Sequence, residues 1–172
     1  MVFTGDIVDD AVFGTDIENI GDLNRNGIDD LAVGSRRDNA GGGNEGALWI
    51  LFMNRDFTVA NYQKINEIQG GFNTSLEYED YFGGSVANIG DLDGDGIVDL
   101  VVGSYRDDDG ATNAGSFYVL FLNADGTVKS KSKVSNTSGG LNTNISSTDH
   151  QAVMVQKALY RFQVYRHQRT IR

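Results

Sequence analysis

Hydrophobic residues fall in short runs along this chain, and clusters of Gly, Asn and Asp separate the runs. Such spacing is typical of short β-strands joined by tight loops. In the second half of the chain the runs are SVANIG (85–90), DLVVGS (99–104), GSFYVLFL (115–122) and TVKSKSKVS (127–135). Helical periodicity is almost absent. The pattern predicts an all-β fold of antiparallel strands.

The same four runs occur earlier in the chain, as TDIENIG, DLAVGS, GALWILFM and FTVANYQKINE. A shift of 69 residues (91 − 22 = 69) aligns 13–54 with 82–123 without a gap, and 22 of these 42 pairs are identical. The chain therefore contains two copies of one unit. Four short antiparallel strands per unit predict β-propeller blades, about two of them. Trp49 aligns with Tyr118, and both are predicted to fill the space between blades.

The sequence DLDGDGIVDL (91–100) has three aspartates at alternate positions, then a glycine and a fourth aspartate. Calcium takes six to eight oxygen ligands, which such a row of carboxylates can supply. Gly96 allows the tight bend that folds the loop back on an ion. The predicted ligands are Asp91, Asp93, Asp95, Ile97 through its carbonyl, and Asp99.

This loop differs from the EF-hand loop in two respects. An EF-hand requires a bidentate Glu at loop position 12, where this chain has Val102, and it requires helices on both sides. Here the fourth carboxylate comes at position 9, and both flanks read as strands. The sequence therefore predicts a compact calcium loop that bridges two adjacent strands.

Each copy contains FG, then DLNRNGIDD or DLDGDGIVD, then VGS, and then a downstream glycine with a hydrophobic strand. With this combination each copy resembles the FG-GAP repeat. This repeat is the unit of the integrin α-subunit head and of many secreted bacterial proteins. The resemblance covers roughly residues 11–148. It implies a seven-bladed propeller with calcium loops on one face, usually working in adhesion or as a binding platform. The ligands that it implies in the first copy are Asp22, Asn24, Asn26, Ile28 through its carbonyl, and Asp30.

The expected organisation is a leading segment (1–10), a first blade (11–79), a second blade (80–148) and an aberrant basic tail (149–172). Two repeats cannot close a propeller, which typically has four to eight blades. We therefore expect that the remaining blades are missing from this chain and that it is a fragment of a larger propeller.

The tail breaks the repeat pattern. Asp149 is still in register with Asp80, but Gln151 and Ala152 stand where the next Phe-Gly should be. Residues 150–172 contain five basic residues and no acidic one. Three interpretations stay open: a frameshifted or truncated gene product, a basic amphipathic helix, or a disordered tail. The amphipathic helix would place Val155, Leu159 and Phe162 on one face.

Charge and composition narrow the class of partner. Outside residues 150–172 the chain has 9 basic (14 − 5) and 24 acidic residues, a net charge of −15, which repels nucleic acid and attracts divalent cations. Because the chain has no cysteine, disulfide bonds cannot stabilise the loops, and a bound metal ion is the available alternative. No stretch is apolar enough to span a membrane, and MVFTGDIVDD is too acidic for a signal peptide. We expect an extracellular protein whose signal peptide is not present in this chain, with a cytoplasmic protein as the alternative.

Catalysis is not predicted, because both histidines, His150 and His167, lie in the tail and no Ser-His-Asp or Cys-His set can be assembled. The acidic run at 107–109 reads as a solvated loop. The leading hypothesis is a calcium-binding extracellular propeller fragment that binds a protein or cell-surface ligand. The alternatives are a lectin-like propeller with sugars on Trp49 and Tyr118, although strand alternation favours these rings as core, and an accessory module of a secreted hydrolase.

Overall fold

The computed structural model describes residue 7, residues 10–39, residues 42–140 and residue 146. These residues form two four-stranded antiparallel sheets and no helix, which confirms the all-β prediction. In each sheet the strands are ordered as in the chain. The tail predicted at 149–172 lies outside the described residues. The strands are β1 (Phe13–Gly21), β2 (Asp30–Ser35), β3 (Ala47–Met53), β4 (Val59–Ile65), β5 (Phe82–Gly90), β6 (Asp99–Ser104), β7 (Ser116–Leu122) and β8 (Val128–Val134).

The first strand of each sheet begins earlier than the sequence predicts. The predicted strand run of the second copy starts at Ser85, yet Phe82 already pairs with Ser104 and opens β5. The next pair along the ladder joins Ser85 to Gly103, so the register shifts between Phe82 and Ser85. A β-bulge of this kind lets pairing continue past residues that do not fit the ladder.

The two sheets share one apolar core. Phe72, from the segment between the sheets, stacks on Phe82 with ring centroids 4.7 Å apart. Phe72 also meets the edge of Tyr118 at 5.1 Å, so the connecting segment packs into the same core. Burial of one such side chain contributes roughly 1.5–3 kcal/mol. Alternate residues of β3 and β7 complete the core: Leu48, Ile50, Phe52, Tyr118, Leu120 and Leu122.

The FG motif of the second copy packs directly against the backbone of the first sheet. A Cβ added to Gly83 would lie 2.1 Å from the carbonyl oxygen of Ala47, a distance that no side chain tolerates. A Cβ added to Gly34 would lie 2.0 Å from the carbonyl oxygen of Gly83. Glycine is required at both positions because two backbones touch here. The motif of the second copy thus joins the second sheet to the first.

Both aligned aromatic residues are buried, which confirms their prediction as core. Tyr118 is 1% exposed and lies between the two sheets. Trp49 is 0% exposed, and it packs with Val33 and Leu51 on the other face of the first sheet. Repeats that stack in one direction place equivalent residues on equivalent faces, as blades do. Neither ring offers a free surface on which a sugar could stack.

Candidate metal centre

The loop at 91–99 connects β5 to β6, and the carboxylate of Asp91 holds it closed. Asp91 Oδ1 accepts hydrogen bonds from the backbone N–H groups of Gly94 (2.7 Å) and Asp95 (3.1 Å), and Oδ2 accepts one from Gly96 (2.9 Å). Gly94 and Gly96 have φ of 82° and 84°, in the region that favours glycine. Ile97 packs on the core between the sheets. The loop is therefore anchored in the blade.

Three carboxylates converge inside this loop. Asp91, Asp93 and Asp99 each place one oxygen so that the three atoms lie within 4.8 Å of one another. Asp99 Oδ2 accepts a hydrogen bond from Leu92 N–H at 2.7 Å. Burial raises the pKa of Asp99, an effect that this hydrogen bond opposes. Calcium binds oxygen ligands at 2.3–2.6 Å, so two oxygens on one ion can be up to about 5 Å apart, and this group is compact enough to share an ion.

Asp95 lies beside that group and is held in a different way. Its Oδ1 accepts a hydrogen bond from Ile97 N–H at 2.8 Å, and its Oδ2 contacts the ammonium group of Lys129. The pKa of Asp95 is lowered, chiefly by Lys129. The roles of Asp95 and of the Ile97 carbonyl as metal ligands stay predictions.

The loop at 22–30 repeats this backbone geometry with fewer charges. Asp22 accepts hydrogen bonds from Asn26 and Gly27 N–H, both at 2.8 Å. Asp30 is buried and accepts from Leu23 N–H at 3.0 Å, and burial raises its pKa. The side-chain oxygens of Asn24 and Asn26 accept hydrogen bonds from N–H groups within the loop, and Ile28 donates one of them. All five predicted residues are thus brought into one loop, and their ligand roles stay predictions.

Sequence reasoning missed Lys129, which lies on β8. Its Nζ is 2.6 Å from Asp93 Oδ2 and also contacts Asp95. These two carboxylates raise the pKa of Lys129, Asp93 having the larger effect. Alignment of the two repeats could have drawn attention to this lysine, because the residue that matches it in the first copy, at position 60 (129 − 69), is Ala. An unmatched lysine beside an acidic loop marks a difference between the two sites.

The acidic run at 107–109 is only partly the solvated loop that the sequence predicts, because Asp108 is exposed whereas Asp107 is buried. Asp107 is 3% exposed, and Lys133 Nζ lies 2.7 Å from its Oδ2 and 3.3 Å from Asp109 Oδ2. The hydroxyl of Ser116 also donates to Asp107 at 2.8 Å. These carboxylates follow β6, whereas the loop at 91–99 precedes β6, so the two clusters lie at opposite ends of that strand. Lys133 makes the run part of the blade's structure.

Asp80 lies on the same side of the blade as this run. It lines a cavity of about 330 Å³ together with Asp107, Asp109 and Lys133. Burial raises the pKa of Asp80 to about 6, and the nearby Asp107 adds to the effect, while the N–H of Glu77 opposes it. This carboxyl group therefore titrates well above its ordinary range.

Comparison with known proteins identifies the repeats. A family model described as "FG-GAP repeat" matches residues 13–51 and 82–120. Integrin alpha-2 of Bos taurus is 35% identical over 99 residues, which are 57% of this chain and 8% of the relative. Integrin alpha-4 of Xenopus laevis is 29% identical over 99 residues, 57% of this chain and 9% of the relative. Integrin alpha-6 of Homo sapiens is 32% identical over 98 residues, 57% and 7% respectively.

The matched part of the chain spans less than a tenth of the length of these relatives, since the shares are 7–9%. A search of the described residues for a helix long and apolar enough to cross a membrane finds none.

Proposed function

Because the chain carries two repeats of the FG-GAP family, we propose that it is a calcium-binding β-propeller unit of a secreted or cell-surface protein, which acts in adhesion or protein binding without catalysis. The carboxylate group of Asp91, Asp93 and Asp99 carries this proposal. It lies in the loop where the FG-GAP resemblance implies calcium.

Each loop would hold one calcium ion, and the ion would neutralise the loop and tie together the ends of two strands. The second loop offers Asp91, Asp93, Asp95, Asp99 and the Ile97 carbonyl, all oxygen donors suited to a hard cation. The first offers Asp22, Asp30, Asn24, Asn26 and the Ile28 carbonyl. A ligand that binds only the folded state stabilises it by mass action. Calcium is abundant outside cells, which supports an extracellular location.

A binding role fits the rest of the chain better than catalysis. Lys133 engages both Asp107 and Asp109, so these neighbouring carboxylates are held in an ion-pair network rather than left free for acid–base chemistry. The relatives are integrin alpha chains, whose resemblance implies adhesion to a protein or cell-surface ligand. The buried rings of Trp49 and Tyr118 favour a protein surface over a glycan as the ligand.

Calcium titration monitored by ¹⁵N NMR tests the metal sites one at a time. The amide of Gly27 donates to Asp22 in the first loop, and the amide of Gly96 donates to Asp91 in the second, so each reports one site. Both signals should shift saturably with Ca²⁺ and return with EDTA. Asp91→Asn should abolish the Gly96 response. Asp108→Asn, with the same charge change outside the loops, should leave it intact.

An adhesion assay tests the binding role. Surfaces coated with the chain should retain cells in calcium and release them in EDTA. The Asp91→Asn variant should retain fewer cells than the Asp108→Asn variant. If neither glycine amide responds to calcium, the metal proposal is wrong, and retention that ignores EDTA would contradict calcium-dependent adhesion.

A further inference from the structure

The side chain of Lys129 bridges two carboxylates of the second loop. Its Nζ is 2.6 Å from Asp93 Oδ2 and contacts Asp95 Oδ2 as well. The remaining oxygen of each carboxylate accepts a backbone N–H, from Asp95 at 3.3 Å and from Ile97 at 2.8 Å. Both oxygens of Asp93 and of Asp95 are therefore engaged. A cation entering the loop has to share these carboxylates with Lys129 or displace it.

The first copy has no lysine at the matching position. Ala60 stands there, and it lines a cleft of about 450 Å³ beside the loop residue Asn24. Asn24 matches Asp93 and Asn26 matches Asp95 (an offset of 69 in each pair). The two acidic residues that Lys129 contacts are thus amides where the lysine is absent. Lysine and carboxylates vary together between the copies.

Charge gives this pairing a physical reason. Four carboxylates in one turn repel one another when no cation is bound. Lys129 lies against two of them, Asp93 and Asp95, and its ammonium group reduces that repulsion without metal. The same positive charge opposes a divalent cation a few ångströms away.

We propose that Lys129 is an internal counter-ion of the second calcium loop, which keeps the loop folded without metal and lowers its affinity for calcium. The inference rests on the proposed calcium site for its second half only. Lys129 is a positioning residue in this role, because it acts on the metal through Asp93 and Asp95. The second loop would then fill with calcium at a higher concentration than it would with its four carboxylates and no lysine.

The test compares Lys129→Met with Lys131→Met, which removes the same charge from the same strand. Lys131 Nζ approaches the Asn73 carbonyl at 3.4 Å and the Phe72 ring at 5.4 Å, so it serves as a control outside the loop. In the calcium titration, Lys129→Met should lower the Kd reported by Gly96 about tenfold. The Kd reported by Gly27 should stay the same. Lys131→Met should leave the Gly96 value within about twofold.

Melting in EDTA provides a second readout that needs no metal. Lys129→Met should melt at a lower temperature than Lys131→Met, because only the first removes the ammonium group that contacts the carboxylates of the loop. Equal melting temperatures of the two variants in EDTA, or a Gly96 Kd that Lys129→Met does not lower, would overturn the inference. If neither the parent chain nor Lys129→Met binds calcium, the proposed function fails, while the EDTA comparison still decides whether Lys129 is a counter-ion.

Discussion

Gly14 and Gly83 occupy the same position in the two repeats and have nearly the same backbone, with φ of 83° and 79°. A Cβ at Gly83 would collide with the Ala47 carbonyl at 2.1 Å, whereas nothing in the described part of the chain lies within 4 Å of one at Gly14. Phe82 is fully buried, and Phe13 is 38% exposed. The FG motif thus encodes a contact with a preceding blade, and only the second copy has one here.

The copies also hold their buried charges differently. Each has a lysine on its last strand paired with an aspartate, Lys64 with Asp38 and Lys133 with Asp107, both at 2.7 Å. Asp107 also accepts the hydroxyl of Ser116, and Ala47 replaces that serine in the first copy. Asp38 has no such hydroxyl beside it, and among the described residues Lys64 is its one ion-pair partner.

The largest effect is expected from Lys64→Met. This change leaves the fully buried carboxylate of Asp38 without its cation, which should cost about 3–5 kcal/mol in the free energy of unfolding. Lys133→Met should cost less, because the Ser116 hydroxyl still bonds to Asp107. Urea denaturation at neutral pH measures both. The double variant Lys64→Met/Asp38→Leu should recover most of the loss, and equal losses at the two lysines would contradict this comparison.

Gly83→Ala should have the next largest effect. Both this variant and Gly14→Ala strain a positive φ, so their difference isolates the collision with Ala47. Forcing two packed backbones apart costs typically 1–3 kcal/mol, and we expect about 3 kcal/mol more for Gly83→Ala. Denaturation midpoints of the two variants measure it. Similar midpoints would show that the second blade does not depend on this contact.

Asp80 distinguishes the copies through pH, since its counterpart in the first copy is Ala11. Its pKa of about 6 in the folded chain exceeds the value of about 3.9 expected when unfolded. The folded state therefore binds the proton more tightly, and the Asp80 contribution to stability falls as pH rises from about 4 to 6.

Asp80→Asn should remove this pH dependence while keeping a side-chain oxygen for the Glu77 N–H. The stability of the variant relative to the parent should rise by about 2 kcal/mol between pH 4 and pH 7. Denaturation at a series of pH values measures the difference. A difference that stays constant across this range would rule out a raised pKa at Asp80.

The strands were predictable because they are short and because residues next to each strand mark where it begins and ends. DLAVGS and DLVVGS coincide with β2 and β6, since an acidic turn precedes each and Gly-Ser ends each. The closed geometry of the loops at 22–30 and 91–99 was equally readable, because their carboxylates bond to N–H groups only a few residues away; calcium binding there stays a prediction. Lys129 and Lys64 were not, because strand alternation gives the face of a side chain but not the partner it meets across the blade.

The smallest effect separates the two predicted calcium loops. The second offers four carboxylates opposed by Lys129, and the first offers two carboxylates with two amides, so the second retains more negative charge. Calcium affinity rises with ligand charge, and the second loop should bind roughly tenfold more tightly. Asp95→Ala should therefore reduce the calcium-induced rise in melting temperature more than Asn26→Ala, while Asp93 keeps Lys129 in place. Calorimetry with and without calcium makes the comparison, and equal reductions would mean that Lys129 cancels the charge advantage of the second loop.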